Sequence, residues 1–129
     1  MEFDARYLDG IRLFNEREFF ACHDELEDLW TETVGDERDF YQGLIQSAVA
    51  LFHFENGNFG GARRMYESAR GYLMPYLPMN CGLDVAAFLD DMRVCFGPLL
   101  VSDTEYPSEA VLDENLIPVI TVVPGEGTD

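Results

Sequence analysis

Two histidines, one carboxylate and two glutamines stand at spacings that could do chemistry. His23 and Glu27 are four residues apart, and Gln42, Gln46 and His53 fall at i, i+4 and i+11; on a helix each set shares one stripe. Neutral imidazoles plus a carboxylate can bind a divalent metal such as zinc or iron with coordination positions left open. In that reading His23 and His53 are ligands, Glu27 is the third ligand or a general base, and Gln46 orients a substrate. The same residues also admit a structural reading. Glu27 would accept from an imidazole or an amide, His53 and Gln46 would satisfy one another, and the network would fix helix register. Spacing does not separate the two, because no HExxH is present and the third ligand depends on how the helices pack.

Other chemistry is poorly supported. Cys22 adjoins His23, but neighbours on a helix point about 100° apart, which is no nucleophile and base pair. Gly57 and Gly60–Gly61 lack a phosphate-loop lysine and a preceding strand, so they read as turn glycines. Trp30, Phe19 and Phe20 read as core.

These residues must be positioned by helices. Phe40–Phe54 holds no charged residue in a chain whose formal net charge is -17. It is too short and too polar for a membrane span, which needs about 18 or more apolar residues. The pattern predicts a buried central helix over about 37–56. Tyr7, Leu8, Ile11 and Phe14 predict an amphipathic helix over 4–16. A second, over 18–31, has Phe19, Phe20, His23, Leu26, Glu27 and Trp30 inward and Asp24, Glu25 and Asp28 to water. ENGNFGG then makes a reversal into a fourth helix over 62–76, and a fifth over 83–96 ends at Gly97–Pro98. The expected fold is all-α, a compact array of about five helices in a single domain over 1–101. Residues 102–129 form an acidic linker and an extended C-terminal arm, LIPVITVV, which either lies over the helices or is supplied as a strand to another subunit.

The charge balance bears on partners. The chain has 25 acidic residues against 8 basic ones, and all eight are arginine. Such self-repulsion destabilises a compact state in dilute buffer, whereas at about 1 M salt the Debye length falls to ~3 Å. The composition therefore suits a salt-rich cytoplasm, with an acidic face for a basic partner as the alternative. A field of this sign opposes nucleic-acid binding. The N-terminus has no basic n-region or apolar h-region, which gives a cytoplasmic expectation, with no membrane partner. Cys22, Cys81 and Cys95 form no CxxC and read as reduced thiols.

The words FNEREFFACHDELEDLW and FYQGLIQSAVALFHFENGNFGGARRMYESARGYL resemble the DUF309 family, small helical prokaryotic proteins of unknown function. The likeness runs over roughly residues 11–77 and joins a FxxCHDxLExLW-like signal to QGLIQxAVAxxH. Asp24 stands where the family usually has glutamate. The resemblance implies an all-helical fold and hands over no reaction. GNFGGARRMYESARGYLMP is similar to half a tetratricopeptide unit, with no second copy at a fixed period. The functional expectation is a non-catalytic or accessory module that forms a homo-oligomer, motivated by the arm; the alternative is a metal-dependent hydrolase built on His23, Glu27 and His53, its small-molecule ligand unknown.

Overall fold

A computed structural model describes residues 3–100 and 110–123. The fold is all-α: α1 (Ala5–Asn15), α2 (Phe19–Glu32), α3 (Arg38–Glu55), α4 (Phe59–Leu73), α5 (Val85–Cys95) and a short α6 (Gly97–Leu100). α3 is the central helix. It packs chiefly on α4 and α2, with α1 laid on α2. Ten of its residues are buried, among them Phe40, Leu44, Ala48, Leu51 and Phe54.

Local chemistry sets the helix ends. Asp4 accepts from the Arg6 N–H and opens α1, satisfying a donor that a helix start leaves unpaired. α3 follows Glu37, which makes no side-chain cap. The α3–α4 reversal places Gly57 at φ 78, a conformation that glycine adopts without Cβ strain. One residue later Asn58 Oδ1 accepts from Gly61 N at 3.0 Å, so α4 begins three residues earlier than apolar spacing indicated.

Between α4 and α5 the connector is more ordered than its sequence suggested. After a 3-10 turn at Met74–Tyr76, β1 (Met79–Asn80) pairs antiparallel with β2 (Leu83–Asp84). Cys81 and Gly82 make the tight turn at φ 50 and 73. This hairpin is anchored on the helices: Asn80 Nδ2 donates to Glu37 Oε1 at 2.7 Å and the Tyr7 hydroxyl donates to the Cys81 carbonyl at 2.9 Å. Asp84 then caps α5 by accepting from Ala87 N, so α5 starts at Val85.

The end of the chain folds back on the same helices. Ile117 and Ile120 are buried in the common core. Asn15 reads the Ile120 backbone from both sides, its Nδ2 donating to the carbonyl and its Oδ1 accepting from the N–H, each at 2.8 Å. Val122 bridges to Leu83, and the Val123 N–H donates to the Gly82 carbonyl at 2.8 Å. The side-chain amide and the hairpin edge together give this segment the partners that a neighbouring strand would have given. Of the acidic linker and the arm, residues 102–109 and 124–129 lie outside the described part. Among the described residues no helix is long and apolar enough to cross a membrane.

Candidate binding groove between the second and third helices

The polar stripe of α3 lies on its half-buried flank. Gln42, Gln46, Val49, Phe52 and His53 all have intermediate burial, in contrast to Leu44, Ala48 and Leu51 on the buried side. This flank faces the start of α2. There a groove of about 200 Å³ opens, lined by Phe19, Phe20 and His23 from α2 and by Val49, Phe52 and His53 from α3. The two histidines, 30 residues apart in the chain, thus line one groove. Its wall is mostly aromatic. The Phe20 ring centroid stands 5.7 Å from that of Phe52 and 5.6 Å from His23, and Phe52 is 6.3 Å from His53.

Phe20 departs from the inward position expected of it. It is 58% exposed, because the 100° step that buries Phe19 at the α1–α2 junction turns its neighbour toward the groove mouth. Phe19 is 2% exposed, with its ring centroid 5.3 Å from Phe14. Glu27 departs in the same way: it is exposed, with its Oε1 3.7 Å from His23 Nε2. Asp24 Oδ1 lies 3.4 Å from His23 Nδ1, close enough for an ion pair but outside hydrogen-bond geometry. The His23 ring therefore has a carboxylate near each nitrogen.

The expected network does not form. Gln46 Oε1 has no hydrogen-bond partner among the described residues, so Gln46 and His53 do not satisfy one another, and no side-chain hydrogen bond of Gln42 is described. His53 pairs with α4 instead. Its Nδ1 is 3.3 Å from Asn58 Nδ2. Because Asn58 Oδ1 is committed to Gly61 N, its amide presents the NH₂ group to the imidazole, and His53 Nδ1 must accept. Neutral His53 then carries its proton on Nε2.

The metal-ligating constellation is accordingly different from the one spacing suggested. His23, Asp24 and Glu27 each offer one atom, all within 4.8 Å of one another, and His53 is not in the group. Convergence on a single ion is poor even so, since Asp24 sits at one ring nitrogen and Glu27 at the other. What spacing missed is the apolar lining and the part of Asn58. The Asn58 signal was present in ENGNFGG, where an asparagine just before a helix is a strong N-cap; the exposure of Phe20 had no signal.

Cysteine chemistry is muted. Burial pushes the thiols of Cys22 and Cys95 up to about 12, and burial with the nearby Glu37 carboxylate does the same for Cys81. Such thiols are weak nucleophiles at neutral pH. Trp30 is half-buried with the Arg38 guanidinium 4.0 Å above its ring, and so is used within the fold. A larger recess of about 450 Å³ lies between the α3–α4 turn and residues 110–117, but none of the candidate residues lines it and Arg17 there is engaged by Glu114 at 3.2 Å.

Residues 7–65 match the family model described as Domain of unknown function (DUF309). The chain is also similar to the uncharacterized protein YpuF of Bacillus subtilis (strain 168), 39% identical over 61 residues, which is 46% of this chain and 35% of that protein. The matched part thus spans about a third of that relative's length. No solved structure matches the chain significantly. The matched region runs from Tyr7 in α1 through α2 and α3 into the first half of α4, and it is over this stretch, with both histidines and every groove residue, that the chain is similar to that family.

Proposed function

We propose that this protein is a non-catalytic, accessory helical module of a salt-rich cytoplasm, and that its working surface is the α2–α3 groove. The observation that carries this reading is the 58% exposure of Phe20 at the mouth of a groove whose other walls are Phe19, Phe52, Val49 and two imidazoles. A large exposed aromatic next to an apolar recess is what a docking surface offers to an anchoring side chain. Catalysis finds less support. The two histidines do not converge on a shared reacting centre, His53 facing the Asn58 cap of α4 and His23 standing near the exposed Asp24 and Glu27 carboxylates, and burial pushes the thiols up.

The salt-adapted setting is supported by the charge of -17. Arginines are already paired in large part, Arg6 with Asp4 and Glu32, Arg12 with Asp9 and Glu16, Arg63 with Glu67 and Arg93 with Asp90, so among the described residues most of the acids have no arginine partner. The C-terminal segment lends self-association no support, being engaged by its own chain. A second copy remains an occupant that light scattering in molar KCl tests at the groove: a dimer that Phe20→Glu dissociates identifies it.

The metal-dependent hydrolase is the second reading, favoured by the single fact that His23, Asp24 and Glu27 bring ligand atoms within 4.8 Å. Elemental analysis of protein purified without chelator or histidine tag separates the two. The docking module predicts far less than one equivalent of zinc, iron or manganese. One equivalent, lost on His23→Ala, would overturn it in favour of the hydrolase.

A further inference from the structure

We infer that the occupant of the groove is a peptide segment of a partner protein in which one large apolar side chain is flanked, within a helical turn, by arginine or lysine. The inference rests on the docking reading above and adds the chemistry of the partner. A recess of about 200 Å³ has room for one large side chain and not for a cofactor or a second domain. The floor and walls, Phe19, Phe20, Phe52 and Val49, set that side chain as apolar.

The rim sets its neighbours. On the α2 side Asp24 and Glu27 are both exposed, with carboxylate oxygens 3.4 and 3.7 Å from the His23 ring. Among the described residues no arginine lines the groove, whose only basic groups are the two imidazoles. Arg17, in the α1–α2 turn, is held by Glu114 at 3.2 Å and by a 3.0 Å hydrogen bond to the Glu114 carbonyl. A ligand entering between α2 and α3 therefore meets an apolar floor beside two carboxylates one helical turn apart. An acidic or neutral residue beside the anchor would leave those carboxylates to be desolvated without a partner, whereas a cation three or four residues from the anchor on a helical peptide reaches them. A second copy of this chain is a poor match on the same ground, having 25 acidic residues to 8 basic ones. Molar salt screens the long-range field but leaves contact pairs beside an apolar surface largely intact. The Phe20 ring adds an attractive face for a guanidinium passing over the mouth.

The test is a displayed library of random 14-residue helical peptides, selected against the whole immobilised protein in 2 M KCl and counter-selected against Phe20→Glu, whose fold is verified by circular dichroism. The expected winners carry Trp, Phe, Leu or Met with Arg or Lys three or four residues away. Asp24→Asn combined with Glu27→Gln should weaken them about tenfold. Phe20→Ser, which adds no charge, should abolish measurable binding. Winners that depend on Phe20 but show no basic preference, or that bind the Asp24→Asn, Glu27→Gln variant equally well, would overturn this inference and leave the docking reading standing. A library that yields no Phe20-dependent binder would overturn both.

Discussion

Two kinds of helix contact meet in this molecule. At the α3–α4 seam Gly43 lets Leu73 seat directly against the α3 backbone: a Cβ at Gly43 would fall 2.5 Å from Leu73 Cγ. The α1–α2 seam is built alike, with Leu26 Cδ2 at 2.5 Å from the Cβ that Gly10 lacks. At the α2–α3 groove the contact is made by rings, Phe20 on Phe52 at 5.7 Å between centroids, and space is left over. Where a leucine fills a glycine notch the helices are fixed by shape. Where aromatic rings meet at a mouth the packing is incomplete, and incomplete packing next to exposed apolar surface is available for something else.

Breaking the tight seam should have the largest effect. Leu73 is wholly buried, and Leu73→Ala should cost about 2–5 kcal/mol. Gly43→Ala forces Leu73 to move and should cost about 1–3 kcal/mol. Combined, the added methyl partly fills the lost volume, so the double variant should be more stable than the sum by about 0.5–3 kcal/mol. Urea unfolding of the four proteins measures this.

The C-terminal clasp comes next. Asn15→Ala removes both hydrogen bonds to Ile120 and leaves a half-buried backbone N–H and carbonyl to find water, for about 1–3 kcal/mol. Asn15→Asp should restore acceptance from the Ile120 N–H but not donation to its carbonyl, and fall between. The clasp also shows where the sequence was legible. The apolar run 116–123 and its proline gave an extended segment, but its partners are one side-chain amide and a two-residue strand, which carry no periodicity. The long helices were readable because apolar spacing at 3.6 residues reflects burial directly, as α3 shows. Residues at the stripe edges were not: Phe20 and Glu27 sit on the same wheel sector as buried neighbours, and their exposure depends on how far α3 covers α2. His53 was legible as a polar residue on an apolar helix, but its partner, Asn58, lies across a turn and not along the stripe.

Alkaline pH should weaken the tight core before it reaches the groove. Cys22 and Cys95 are raised from 9.0 to about 12 in the folded chain, and Tyr41 from 10.0 to about 12, burial being the first cause in each. The unfolded chain ionises first, so the stability these groups contribute is fully present below pH 9 and is lost as pH rises through about 12. Urea midpoints at pH 8, 9.5 and 11 should decline in that order, with thiol alkylation at pH 8 slow until the chain unfolds.

The smallest effect is expected at the site that spacing singled out. Glu27 is exposed, and its 3.7 Å approach to His23 is a surface contact, so Glu27→Ala should change stability by less than about 0.5 kcal/mol. A loss of 1–3 kcal/mol would restore the buried network that the geometry lacks.

The central claim is that the α2–α3 groove is an apolar docking surface, and an indole titration followed by NMR tests it most directly. The account predicts saturable shifts confined to the Val49 methyls and the Phe20 and Phe52 rings, and their loss in Phe20→Glu with the rest of the spectrum unchanged. Shifts that rise linearly without saturation, or that persist in Phe20→Glu, would contradict it.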